Sequence, residues 1–103
     1  MTVILQQTMP EGITLEFLDE VTREMGVDTD PPAGLLVHTH FEEGGRIRVV
    51  DVWDSQEAFD SFQESTLMPA MQKVATGHGM DMSQAPQPTT SILKVHGLVT
   101  GLQ

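Results

Sequence analysis

The stretch "GLLVHTHFEEGGRIRVVDVWDSQEAF", Gly34 to Phe59, decides the fold. Two runs rich in β-formers, "LLVHTHF" and "RIRVVDVW", flank Glu42-Glu43-Gly44-Gly45. A Gly-Gly pair between such runs marks a β-hairpin, because both glycines accept the positive φ that a tight turn needs. Directly after Trp53 comes Asp54-Ser55-Gln56-Glu57, which reads as a capping-box variant. There the Asp54 carboxylate would accept from the first-turn amides while Glu57 reaches back. Ala58, Phe59, Phe62 and Thr66 then line one face of a helix.

Working outward, "TVILQQT" (Thr2 to Thr8) is a short strand closed by the turn signal Met9-Pro10-Glu11-Gly12. A helix follows, with Phe17, Leu18, Val21 and Met25 on one stripe, Thr14 as N-cap, Ile13 and Leu18 as a hydrophobic staple, and Gly26 at its end. "VDTDPPAG" is a connector, since Pro31 and Pro32 lack amide donors. Pro69 interrupts the second helix, so Leu67 to Ala75 is expected either as a kinked continuation or as a second short helix capped near Ser65 or Thr66. Gly77 to Thr90 reads as a long loop, and "SILKVHGLV" as the last strand.

The resulting order, βαββαβ, is that of a ferredoxin-like α+β domain spanning residues 1–103, with a four-stranded antiparallel sheet and its helices on one face. Strand alternation groups Leu35, Val37, Thr39 and Phe41 on one side and Leu36, His38 and His40 on the other. The next strand alternates Ile47, Val49, Asp51 and Trp53 with Arg46, Arg48, Val50 and Val52. Both faces are largely apolar, and two helices cover only one of them. A homodimer in which a second copy covers the open face is therefore expected.

Composition narrows the function classes. Fifteen acidic against five scattered basic residues give a net charge of −10, so there is no positive patch to release counterions from a phosphate backbone. Nucleic acid and anionic membranes are excluded as partners on that ground. The chain has no cysteine, which removes disulfides, thiolate ligands and thiol nucleophiles. "MTVILQQTMPEG" has no basic n-region and only a three-residue apolar run, and no stretch is long enough to span a bilayer, so a cytoplasmic location is expected. A phosphate-cradling loop, a nucleophile elbow and a metalloprotease histidine pair are all missing from the sequence.

With its hairpin, "RVVDVWDSQEAFDSFQESTLMPAMQKV" and the closing "VHGLV" taken together, the chain resembles the dimeric α/β-barrel superfamily. The likeness is to small stand-alone proteins related to the antibiotic biosynthesis monooxygenase domain. Val52, Trp53, Ser55, Glu57, Ala58 and Phe59 match that family's strand, capped turn and second helix. The resemblance implies two sheets paired at a dimer centre, and a pocket in each protomer between helices and sheet. It also implies a range of activities: cofactor-independent quinone-forming oxygenases, polyketide cyclases, haem-degrading oxygenases and lactone isomerases. Fold alone does not choose among them. The haem-degrading branch has an axial histidine before a helix lysine, whereas here Gln72 precedes Lys73 and no histidine lies between Trp53 and Gly77. Met71 is the one soft side chain there.

Candidate chemistry rests on few residues. His38 and His40, two apart on a strand, share a face, which is a geometry that also presents metal ligands in cupins, but a second histidine motif on a β-rich chain is lacking. No metal and no cofactor are expected. His38, on the second strand, and His96, on the last, are candidate bases for an acidic phenol or carbon, since imidazole titrates near neutrality. Asp51, inside an apolar strand, is a third catalytic candidate. Trp53, Phe62 and Met71 are candidate ligand-binding residues for a small aromatic or apolar molecule. His40, nearer the turn, is expected to be exposed or at an interface. The alternative to an oxygenase or cyclase is a non-catalytic dimeric binding protein in which these histidines are structural, with metal- or haem-dependent oxygenation a further alternative.

Overall fold

The computed structural model of the chain describes residues 1–81, 87–99 and 101. Its elements are β1 (Val3–Thr8), α1 (Leu15–Met25), β2 (Leu35–Glu43), β3 (Arg46–Trp53), α2 (Gln56–Phe62), a π-helical turn (Gln63–Leu67), α3 (Met68–Gly77) and β4 (Thr89–Lys94). The strands form one antiparallel sheet in the order β2-β3-β1-β4, the ferredoxin-like arrangement that the element order implies.

Local chemistry sets most of the element ends. Thr14 caps α1 by accepting from the Phe17 amide at 3.1 Å, and Gly26 closes it in the left-handed region at φ 70°. Gly44 and Gly45 turn the hairpin at φ 60° and 80°. At the start of α2 the cap is Ser55, whose Oγ accepts from the Ala58 amide at 3.1 Å, in place of the expected Asp54. The Asp54 amide instead donates to the Gly34 carbonyl at 2.8 Å, tying the connector to the end of β3.

Pro69 does not start a separately capped helix. The π turn carries α2 into α3, with the Met68 amide bonding the Gln63 carbonyl five residues back, and Pro69 sits in the first turn of α3, where its missing donor is harmless. Ser65 Oγ donates back to the Ser61 carbonyl at 2.8 Å, so it caps nothing.

The last strand also differs from expectation. It begins at Thr89 and ends at Lys94, one further bond running from the Val95 amide to the Thr2 carbonyl, so His96 lies beyond it. Part of the segment read as a loop, residues 82–86, lies outside the described residues.

Two apolar clusters lie between sheet and helices. One joins Phe17, Leu18 and Val21 of α1 with Ile47 and Val49 of β3 and Ala70 and Ala75 of α3. The other joins Val3 and Leu5 of β1 with Trp53 and Phe59. Every residue of β4 is exposed, and on the helix-free face Phe41 and Leu93 are 38% and 49% exposed.

Candidate active site

A pocket of about 240 Å³ opens between helices and sheet and draws its lining from both clusters. Its walls are mainly apolar, including Leu5, Leu18, Val49, Phe59, Phe62 and Met71, with Gln7, His38, His40 and Asp51 as polar points. A few placed polar groups in an apolar concavity are the ordinary make-up of a small-molecule site. The π turn contributes Gln63 and Leu67 to the same wall.

A β-bulge puts the histidines on this face. Leu35 pairs with Trp53, but Val37 pairs with the next residue along, Val52, so Leu36 is the extra residue and the alternation of β2 shifts there. Beyond the bulge His38 lies opposite Asp51 and His40 opposite Val49, both on the buried side of β3. Leu35 is thus separated from Val37 and joins the histidine side, contrary to the unbroken alternation expected. His40, expected to be exposed or at an interface, is half-buried and lines the pocket.

The polar groups form one chain of hydrogen bonds. Asp51 is 5% exposed, and both its oxygens have partners: Oδ1 accepts from His38 Nδ1 at 2.7 Å, and Oδ2 accepts from Trp53 Nε1 at 3.2 Å. A buried carboxylate is tolerated only with such partners. His38 Nε2 meets His40 Nδ1 at 3.2 Å, and His40 Nε2 meets Asp19 Oδ1 of α1 at 3.2 Å. The chain therefore runs from the indole beneath the pocket, through the pocket wall, to a carboxylate at the surface.

Trp53 does not wall the pocket. It is 1% exposed and packs behind Phe59 and Phe62, at ring-centroid distances of 5.7 and 5.3 Å. Its part here is to support those two rings and hold Asp51, and a flat ligand would meet Phe59 and Phe62 first. Met71 is half-buried in the wall, while Met68 and Met80 stand exposed among the lining residues. His96 is exposed and is not among the residues that line the pocket.

Two participants escape a reading of the sequence. Gln7 is 6% exposed in the pocket and donates from Nε2 to Thr90 Oγ1 at 3.2 Å. Its parity with Val3 and Leu5 in "VILQQ" was the available signal. Asp19, one of several acidic residues on α1, carries no signal that pairs it with a histidine on β2. Among the described residues, no three histidine, aspartate or glutamate side chains are placed together to hold a metal ion, and no helix is long and apolar enough to cross a membrane.

No protein-family model matches the chain, and no curated protein matches it significantly. Solved structures do match. SnoaB, a cofactor-independent oxygenase from Streptomyces nogalater, is 15% identical, with 95% of each chain covered and a TM-score of 0.59. A variant of MhuD solved with two manganese protoporphyrin IX molecules per active site is 21% identical over 98% of this chain and 100% of that one, with a TM-score of 0.60. A dimeric ferredoxin-like protein of unknown function from Thermobifida fusca is 11% identical over 92% of each chain, again with a TM-score of 0.60. In the present chain Met68 and Met71 of α3 line the pocket, while Gln72 beside Lys73 is exposed. The chain has the ferredoxin-like fold found in antibiotic biosynthesis monooxygenase-like proteins, at low sequence identity to them.

Proposed function

We propose that the protein is a homodimeric oxygenase or cyclase that works without a bound cofactor on a small aromatic or polyketide-like molecule. The observation that carries this reading is the buried Asp51 fixing His38 Nδ1 at 2.7 Å on the wall of an apolar pocket. A carboxylate on one ring nitrogen holds the imidazole in the tautomer whose other nitrogen is basic, the arrangement that general-base catalysis needs. His38 then takes a proton from an acidic carbon or phenol, the electron pair staying on the substrate. In an oxygenation, a ring methylene beside a phenol becomes a carbonyl, with dioxygen supplying the carbonyl oxygen and one molecule of water. In a cyclisation, the same carbanion adds to an internal carbonyl.

The fold shared with SnoaB supports this reading, and the dimeric relative from Thermobifida fusca supports the assembly. In the sheet, cross-strand partners share a face, so Ile4, Val37, Val52 and Leu93 form one apolar row away from the helices. A second copy covering that row completes the barrel.

The test is dioxygen uptake, and product formation without uptake, over a panel of phenolic fused-ring ketones. His38→Gln keeps an N–H donor for Asp51 but has no basic nitrogen. Turnover should vanish while stability changes by less than about 1 kcal/mol, and His96→Ala should leave turnover unchanged. Turnover that survives His38→Gln contradicts the reading. A protein that binds the same compounds and transforms none of them is the non-catalytic alternative.

A further inference from the structure

The hydrogen-bond chain Asp51–His38–His40–Asp19 contains a count of protons. A neutral imidazole has one N–H and one bare nitrogen, and a cationic one has two N–H groups. Each of the three contacts needs one hydrogen, so with both carboxylates accepting, the two rings together carry three ring protons. Two neutral rings carry only two. The closed chain is therefore one proton richer than a pair of neutral histidines.

The contact that lacks its hydrogen in the two-proton form follows from bond strength. Hydrogen bonds to a carboxylate are roughly twice as strong as those between neutral groups. His38 Nδ1 therefore keeps its proton toward Asp51, and His40 Nε2 keeps its proton toward Asp19. What remains is His38 Nε2 and His40 Nδ1, two bare nitrogens facing one another across the pocket wall, 3.2 Å apart in the closed chain. Each ring is tethered by its own carboxylate, so neither can turn its proton inward without losing the stronger bond.

We propose that His38 and His40 act together as a two-imidazole proton acceptor, in which a single proton taken from the ligand is held between His38 Nε2 and His40 Nδ1. This rests on the reading of His38 as a base and adds His40 to the site, with Asp19 as its positioning residue. The bond from the ligand's carbon or oxygen to hydrogen breaks, its electron pair stays on the ligand, and the new N–H is shared by the rings. No oxidant or metal enters this step. The other charged group on the pocket lining is Glu11, from the turn before α1, which pairs with Arg46 at 3.3 Å and reaches neither ring. Asp51 from β3 and Asp19 from α1 are the charged groups that meet the pair.

The experiment is nitrogen-15 NMR of the ring nitrogens in ligand-free protein labelled at histidine, followed across the pH range in which imidazoles titrate. His38 Nδ1 and His40 Nε2 should stay protonated throughout. His38 Nε2 and His40 Nδ1 should move together in one single-proton step, each ending halfway between the bare and protonated positions. In Asp19→Ala, His40 loses its carboxylate acceptor at Nε2 and is free to donate from Nδ1 to His38, so the shared step should disappear and each ring should show one fixed tautomer. Two rings that each gain a whole proton in separate steps overturn the proposal, as does a shared step that persists in Asp19→Ala. Because the measurement needs no substrate, a failure to find turnover removes the proposed reaction without touching the proton count. Independent titration removes the pair and leaves His38 as a lone base.

Discussion

The face of the sheet beneath the helices and the face turned away from them come from the same four strands, yet they place their polar residues in different ways. On the helix side Asp51 is 5% and Gln7 6% exposed, each held by named partners, and His38 and His40 extend that polar line across β2. On the other side the polar residues, among them Gln6, Thr39 and Arg48, are nowhere fully buried, and the row through Val52 is apolar from edge to edge. Polar groups are costly to bury, so a face that buries Asp51 and Gln7 beside a pocket differs in kind from a plain apolar face, which needs only to be covered. Strand parity thus keeps the polar residues that line the pocket apart from the apolar row on the open face.

The largest effect is expected where core packing and support of the site meet in one residue. Trp53 supports the pocket rings and holds Asp51, so Trp53→Ala should lower stability by about 3–5 kcal/mol, read from chemical denaturation, and abolish any ligand response with it. A loss below about 1 kcal/mol would separate the indole from the core.

Next comes the junction between β2 and α2. Gly34 has φ 90°, and a Cβ there would stand 2.6 Å from Ala58 Cβ and 2.7 Å from Asp54 Oδ1. Gly34→Ala is expected to cost about 1–3 kcal/mol in the same denaturation experiment, through backbone strain and displacement of α2. An unchanged midpoint would mean that the helix yields freely and that the pocket wall it carries is loosely held.

Asp51→Asn should act on chemistry more than on folding. The amide offers its own hydrogens to His38, which favours the wrong tautomer, so turnover is expected to fall about 10²–10⁴-fold. Stability should drop by no more than about 1–3 kcal/mol. Equal turnover in the variant would place the base elsewhere. The smallest change expected is for Gln7→Leu. It removes one hydrogen bond to Thr90 of the edge strand and should cost roughly 1 kcal/mol, while shifting ligand preference toward less polar molecules in a binding assay.

How much of this was legible in the sequence depends on the range of the interaction involved. The Gly44-Gly45 turn and the Thr14 and Gly26 caps depend on residues a few positions apart, and each is found where expected. The cap of α2 moved by one residue, from Asp54 to Ser55, because Asp54 is engaged through its amide with Gly34, a contact outside the local window. The bulge at Leu36 could not be read, since unbroken alternation fits the residue pattern equally well and only pairing with β3 fixes the shift. That one shift moves Leu35 onto the side of the histidines.

At the site the histidines and Asp51 were legible as residue types, and their contact was not, because it spans two strands. Trp53 was legible as a residue of the site, but its depth behind Phe59 and Phe62, away from the pocket wall, depends on how α2 packs. His96 was placed on a strand by its apolar neighbours, although β4 loses its partner where β1 begins at Val3, which faces Lys94. The link from His40 to Asp19 joins residues 21 positions apart on different elements, and nothing in either segment announces it.

The division between the faces is tested most directly by the solution mass at micromolar concentration, measured by light scattering for the native chain beside Val52→Asp. Val52 points away from the pocket and lies in the apolar row. The native protein should have twice the monomer mass of 11.3 kDa, and the variant, folded by circular dichroism, should fall to 11.3 kDa. A native protein at 11.3 kDa would contradict the assignment of the open face to a second copy.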